Sequence, residues 1–107
     1  MGRDDDAVFK AIADPTRRAL LDALKASPGL SLGELCAQHP EMTRFGVSSH
    51  LKVLEAAGLV TSVKDGRLKR HYLDAAPLQE ISERWLTPLA ATTAAAMLRL
   101  RDHLEKP

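Results

Sequence analysis

The sequence is poor in cysteine, aromatic residues and long apolar runs. Cys36 is the single cysteine, so no intrachain disulfide can form, and this suits a reducing compartment. No apolar run approaches the roughly 18 residues that a membrane span needs. The acidic start at residues 1–6 also lacks the apolar stretch of a signal peptide. We therefore expect a cytoplasmic protein with no membrane partner.

Signals of catalysis are missing as well. The chain has no Gly-rich phosphate loop, no nucleophile motif and no cluster of convergent carboxylates, which argues against an enzyme and predicts no cofactor. The net charge of +1 does not by itself indicate a nucleic-acid partner, so the distribution of charge has to decide. With aromatic residues at only 4%, the core must be built from leucine, valine, isoleucine and alanine. Leucine and alanine favour helices.

Start and stop signals predict four helices in the first half of the chain. The first helix ends near Asp14, where Asp14-Pro15 is a capping residue followed by a proline at the first helical position. The second helix then runs from about Pro15 to Lys25. Ser31 and Glu34 match the capping box that opens a short third helix.

After the fourth helix, the spacing of apolar residues changes from the helical period to the two-residue period of strands. Thr43 can cap this helix, which runs to Ala57, and Gly58 supplies a left-handed stop. Residues 59–64 and 67–73 then alternate with the period of strands, and Asp65-Gly66 is a strong hairpin signal between them.

A long amphipathic helix closes the predicted fold. Pro77 begins a further helix, and Thr87-Pro88 should kink or restart it. The order of elements predicts a mainly α fold with a small β-hairpin: a winged helix-turn-helix with helices 1–4, a two-stranded wing and a long C-terminal helix. We expect residues 1–107 to form one winged helix-turn-helix DNA-binding domain, with residues 77–106 as a C-terminal dimerisation region.

The fourth helix has two contrasting faces. At about 100° per residue, Val47, Leu51 and Leu54 cluster on the side that must face the core. The opposite side carries small, apolar and basic residues: Phe45, Ser49, Lys52, Val53 and Ala56. The second helix of a helix-turn-helix enters the major groove, where Ser49 can meet a base edge and Lys52 a phosphate or guanine. On this helix alone, a solvated face explains the pattern about as well.

The hairpin strengthens the DNA interpretation. Lys64, Arg67, Lys69 and Arg70 lie within seven residues, and a ribbon with this charge can neutralise phosphates or lay an arginine in the minor groove. Edge strands also carry lysine and arginine to block aggregation. That explanation accounts for one or two such charges more easily than for four.

Two segments carry a resemblance to a known family. Residues 13–18, ADPTRR, and residues 42–60, with Ser49 to Val60 as the most specific run, resemble the ArsR family of winged-helix repressors. The likeness extends through the hairpin to Tyr72 and on to Arg84–Leu86. Members are typically dimeric repressors that release DNA when a signal arrives, and the resemblance implies DNA contacts at Ser48, Ser49 and His50. The expected recognition-helix contacts are Thr43, Arg44, Phe45, Ser48, Ser49, His50 and Lys52.

The resemblance also raises a metal-responsive repressor as an alternative, which the residues oppose. Sensors of the family with a thiolate site carry paired cysteines in the third helix, whereas here Cys36 stands alone, and one thiolate cannot build a closed tetrahedral site. The other family site uses spaced carboxylates and histidines along the last helix, where Asp102, His103 and Glu105 are too closely placed. We expect no metal site and a buried structural role for Cys36.

The expected partners are double-stranded DNA and a second copy of the chain. The last helix carries an apolar seam larger than one small domain can bury, and a two-fold DNA site needs two recognition helices. The predicted interface residues, with help from helix 1, are Val8, Phe9, Trp85, Leu86, Leu89, Thr93, Ala96, Met97, Leu100 and Leu104. A winged helix used for protein contact is the other alternative. An inducer is not identified by the sequence.

Overall fold

The computed structural model describes residues 4–105 and divides the chain into two compact units, unit 1 up to Pro77 and unit 2 from Leu78. It confirms the predicted winged helix-turn-helix class. The elements, in chain order, are α1 (Asp5–Ile12), α2 (Pro15–Ala26), α3 (Leu32–Gln38), α4 (Arg44–Ala56), β1 (Val60–Asp65), β2 (Leu68–Leu73), α5 (Ala76–Ile81), a π-helical turn (Ser82–Leu86) and α6 (Thr87–Glu105).

The predicted helix starts are confirmed by their caps. Asp14 accepts hydrogen bonds from the backbone N–H groups of Thr16 and Arg17, at 2.8 and 3.1 Å. The bond from Arg17 is the main reason that the pKa of Asp14 lies below its usual value. Ser31 and Glu34 form the expected reciprocal capping box, and the backbone N–H of Ser31 lowers the pKa of Glu34 in the same way.

The core of unit 1 lies where helices α1 to α4 meet the hairpin. Its largest fully buried side chains are those of Val8, Leu20, Leu24, Leu35, Val47, Leu54, Leu59 and Pro77. Residues from α4 thus interleave with residues from α1, α2 and α3, and α3 packs directly on α4 to form the helix-turn-helix. Cys36 is half-buried rather than fully inside.

The hairpin differs from prediction by one residue. Strands β1 and β2 pair antiparallel from Val60 opposite Leu73 to Asp65 opposite Leu68, so the loop consists of Gly66 and Arg67. Gly66 has a φ of +62°, and no residue other than glycine between positions 4 and 105 has a positive φ. This fits a type II′ turn, which needs glycine at its first central position, whereas a type I′ turn would need a positive φ at two residues.

The helical chain from Ala76 to Glu105 contains the predicted restart at Thr87, with an unexpected π-helical turn before it. The Thr87 N–H donates to the Ser82 carbonyl five residues back. Pro88 has no N–H to continue the ladder, and its ring would clash with the carbonyl four residues earlier. The wider turn accommodates the proline without breaking the helix. None of the residues of α6 is buried.

We found no helix between residues 4 and 105 with the length and apolar character of a membrane span.

Candidate nucleic-acid interface

Helix α4 presents the two faces that its periodicity predicts. Thr43 caps the first turn by accepting from the Gly46 N–H at 2.9 Å. Val47, Leu51 and Leu54 are buried. The opposite face is exposed along its whole length, at Phe45, Ser49, Lys52, Val53 and Ala56. A helix seated on the core in this way presents a small, largely uncharged ridge outward.

A cleft of about 280 Å³ separates α4 from the hairpin. One wall is a stripe of α4 at four-residue spacing, formed by Arg44, Ser48 and Lys52, and the facing wall carries Arg67 and Lys69. The first wall forms because side chains four apart share one helix face. Arg67 belongs to the turn and Lys69 to the start of β2, and the hairpin brings both to the facing wall. Basic residues that are far apart in the sequence thus line a single cleft.

Glu55 also lines this cleft, but its carboxylate lies 3.9 Å from Nε2 of His71 and is not paired with the lysines and arginines of the cleft. Across residues 4–105, the side chains of Arg44, Lys52, Arg67 and Lys69 form no hydrogen bond or ion pair. Lys64 lies directly opposite Lys69 in the strand register. Like charges placed opposite each other on a sheet are destabilising, so a bound anion would relieve the repulsion. The cleft is therefore suited to binding a polyanion.

Arg70 differs from the other predicted phosphate contacts because it already has partners within the chain. Its Nε donates to Asp65 at 2.7 Å and its Nη1 to the Gly29 carbonyl at 3.1 Å, with Glu34 at 3.8 Å from Nη1. The hydrogen bond and charge of Asp65 raise the pKa of Arg70 above its ordinary value. The guanidinium ties the hairpin to the α2–α3 connection, so the phosphate contact predicted for Arg70 stays a prediction and would have to compete with these bonds.

His50 also has an intramolecular partner. It is half-buried, and its Nδ1 lies 3.3 Å from Nη1 of Arg17. Because a guanidinium can only donate, Nδ1 must accept and the imidazole proton lies on Nε2. The DNA contact that the family resemblance implies for His50 stays a prediction, and only Nε2 is free to make it.

Arg17 and Arg18 hold the end of α1 together. Arg17 donates to the carbonyls of Ala11 and Lys10 at 2.7 and 2.9 Å, and Arg18 donates to the carbonyl of Ile12 at 2.7 Å. These are the free carbonyls that every helix leaves at its C-terminus. Through His50, Arg17 also links α1 to the recognition helix.

The donor set for a metal ion is incomplete. In the part of the chain that the structure describes, no group of three or more His, Cys, Asp or Glu side chains is placed to hold one. Nδ1 of His39 lies 3.4 Å from Glu41, and Cys36 is its neighbour one helical turn earlier with no second thiol in the sequence. These residues do not fit a structural zinc or thiolate site.

Comparison with known proteins agrees with this geometry. The helix-turn-helix domain family matches residues 12–63. The chain is 37% identical to the uncharacterized HTH-type transcriptional regulator YuzN of Bacillus subtilis, over 80% of this chain and 99% of that protein. It is 35% identical to the transcriptional repressor SdpR of the same bacterium, over 74% of this chain and 84% of that one.

A solved structure shows the same fold. The ArsR-like transcriptional regulator from Rhodococcus sp. RHA1 superimposes with a TM-score of 0.72 at 31% identity, over 94% of this chain and 89% of that one. The fold and these relatives define a transcriptional regulator of the helix-turn-helix type. More narrowly, the chain belongs to the ArsR-like family of winged helix-turn-helix regulators.

Proposed function

We propose that the protein is a homodimeric repressor that binds double-stranded DNA sequence-specifically. In this arrangement α4 enters the major groove, and one strand of the DNA backbone follows the cleft between α4 and the hairpin. The observation that carries the proposal is the cleft itself, where Arg44, Lys52, Arg67 and Lys69 stand unpaired beside the outward face of α4. The repressor role is supported by the likeness to SdpR, which is a transcriptional repressor.

The dimer is supported by the exposed seam of α6. In the single chain, Leu86, Leu89, Met97, Leu100 and Leu104 are between 50% and 72% exposed. Thr93 and Ala96 lie on the same side and are exposed too, and Trp85 is 44% exposed just before the helix. An apolar surface of this extent is typical of an interface. A second copy would cover it and would supply the second recognition helix that a two-fold operator needs.

The contribution of helix 1 needs one correction. Val8 is fully buried in the single chain, so it has no surface to offer a partner and belongs to the core. Phe9, its neighbour in sequence, is 42% exposed and remains a proposed interface residue. The difference follows from helical geometry, since consecutive side chains diverge by about 100° around the axis.

The test separates base contacts from phosphate contacts. Ser49 faces outward from α4, so Ser49→Ala should narrow the gap in affinity between the operator and random duplex by roughly 1–3 kcal/mol, because it loses a base contact. Lys69 lines the cleft, so Lys69→Ala should weaken binding to all sequences and lower the salt slope by about one. The measurement is affinity for a selected operator and for random duplex at several salt concentrations.

Lys25→Ala provides the matched control, because it removes an exposed lysine of α2 that does not line the cleft. It should leave the salt slope unchanged. If Ser49→Ala leaves the specificity ratio intact while Lys69→Ala abolishes it, α4 does not face the bases. If the unmodified protein binds no duplex even at low salt, the proposed function is wrong, and a winged helix for protein contact takes its place.

We further expect stoichiometric zinc, cadmium or arsenite to leave the DNA complex intact, because the donor set is incomplete. The measurement is DNA affinity with and without each metal, followed through one full titration. A large drop in affinity that Cys36→Ser abolishes would show that Cys36 belongs to a sensing site after all.

A further inference from the structure

Phe45 is the most exposed large apolar side chain in the part of the chain described, at 83%. It lies in the first turn of α4, one residue after Arg44 and one before Gly46. On the same outward face, Val53 is 39% exposed, and the small Ser49 lies between them, one turn from each. The N-terminal half of the recognition helix therefore presents an aromatic ring to the solvent.

The local fold does not depend on this ring. The first turn of α4 is secured by the hydroxyl of Thr43, which accepts from the Gly46 N–H, and the core face is supplied by Val47 and Leu51. An aromatic ring that is four-fifths exposed contributes little to folding, because hydrophobic stabilisation follows the apolar area removed from water. Its position is better explained by a ligand that covers it.

The chemical groups in the DNA major groove determine which part of a bound DNA could cover the Phe45 ring. The residues at the N-terminal end of a recognition helix are those that reach base edges. Along those edges guanine, cytosine and adenine present hydrogen-bonding groups, whereas thymine adds a C5-methyl group, which makes apolar contacts with phenylalanine. Gly46, beside the ring, leaves room for the capping side chain, since a Cβ there would lie 3.2 Å from the Thr43 hydroxyl.

We infer that Phe45 is a specificity-determining residue that reads the C5-methyl group of a thymine in each half-site of the operator. This inference rests on the proposed DNA-binding function. Ser49 would contact the neighbouring base pair by hydrogen bonding, since it lies four residues further along the same face. Together, the two side chains would favour an operator in which a thymine stands next to a base pair that hydrogen-bonds with Ser49.

The experiment uses the full chain and an operator obtained by selection from random duplex. Each thymine of the operator is replaced in turn by deoxyuridine, which keeps base pairing and removes only the methyl group. The synthetic duplex contains no 5-methylcytosine, so thymine is its sole source of this group. For the unmodified protein, at least one symmetric pair of substitutions should weaken binding by about fourfold per methyl, the equivalent of about 0.8 kcal/mol.

The paired variant is Phe45→Ala, which should bind the thymine operator more weakly and be insensitive to deoxyuridine at that position. Such non-additivity in a double-mutant cycle is the signature of direct contact. Val63→Ala is the matched control, because it truncates an apolar side chain that is 50% exposed on the hairpin. It should retain the full deoxyuridine effect.

Two outcomes overturn the inference while leaving the proposed function intact. In one, the unmodified protein distinguishes operator from random duplex, yet no deoxyuridine substitution weakens it. In the other, Phe45→Ala loses affinity and remains as sensitive to deoxyuridine as the unmodified protein, which would place the ring against the backbone or another protein. Absence of any sequence-specific binding would instead overturn the proposed function, and the inference with it.

Discussion

Leu100→Glu should convert the protein to a monomer and reduce its affinity for the operator by about 100-fold or more. Leu100 is 50% exposed in the C-terminal half of the α6 seam. In a two-fold interface the substitution places two carboxylates on the same contact surface, and each buried ion carries a desolvation penalty of several kcal/mol. Loss of the linked second half-site removes an avidity gain of roughly 10²–10⁴. Sedimentation and operator affinity at micromolar protein measure both effects.

Leu98→Glu is the control for this experiment. Leu98 lies on the same helix and is 55% exposed, but at two residues, or about 200°, from Leu100 it points away from the seam. It should leave both the dimer and the operator affinity unchanged. Equal effects of the two substitutions, or a monomeric unmodified protein, would show that the seam is not the dimer interface.

Leu54→Ala should lower the free energy of unfolding by about 2–5 kcal/mol, the range for truncating a buried leucine. Leu54 is fully buried in the core of unit 1. Since a domain of this size has a total stability of only about 5–15 kcal/mol, the folded fraction and hence DNA binding should fall together on warming. Urea unfolding with a common m-value measures the difference.

Val53→Ala tests the orientation of α4 at the adjacent position. Val53 is 39% exposed on the outward face, so its truncation should cost less than about 1 kcal/mol. Leu54 and Val53 thus report the buried and the exposed side of the same helix. Similar losses of stability for the two variants would mean that α4 is seated on the core with a different rotation from the one described.

Much of the fold could be predicted because its signals are local. Asp14, Ser31 and Thr43 cap helices whose free N–H groups lie two or three residues away, so the pattern is contained in a few consecutive positions. The faces of α4 follow from its period alone. The DNA contacts of Arg44, Lys52 and Lys69 stay predictions, and the structure places all three side chains in one cleft.

The features that the sequence could not show depend on contacts between distant positions of the chain. Arg70 looked like another cation of the hairpin, and its bond to Gly29, 41 positions away, is visible only once β2 lies beside the α2–α3 connection. Val8 and Phe9 are both apolar residues of α1, and only the packing of that helix shows that Val8 is inside and Phe9 partly outside. In the shifted turn only Gly66 needs a positive φ, whereas a type I′ turn centred on Asp65 and Gly66 would need one at Asp65 as well.

The sequence by itself determined the helices, their caps, the hairpin and the apolar seam of α6, because these depend on spacing between near neighbours. The tertiary structure alone decided which charges are free. Arg17 reaches His50 across 33 positions and Arg70 reaches Gly29, whereas Arg44, Lys52, Arg67 and Lys69 are brought to one cleft without forming an ion pair. Whether a cation has an internal acceptor depends on distances between remote parts of the chain, which no local pattern contains.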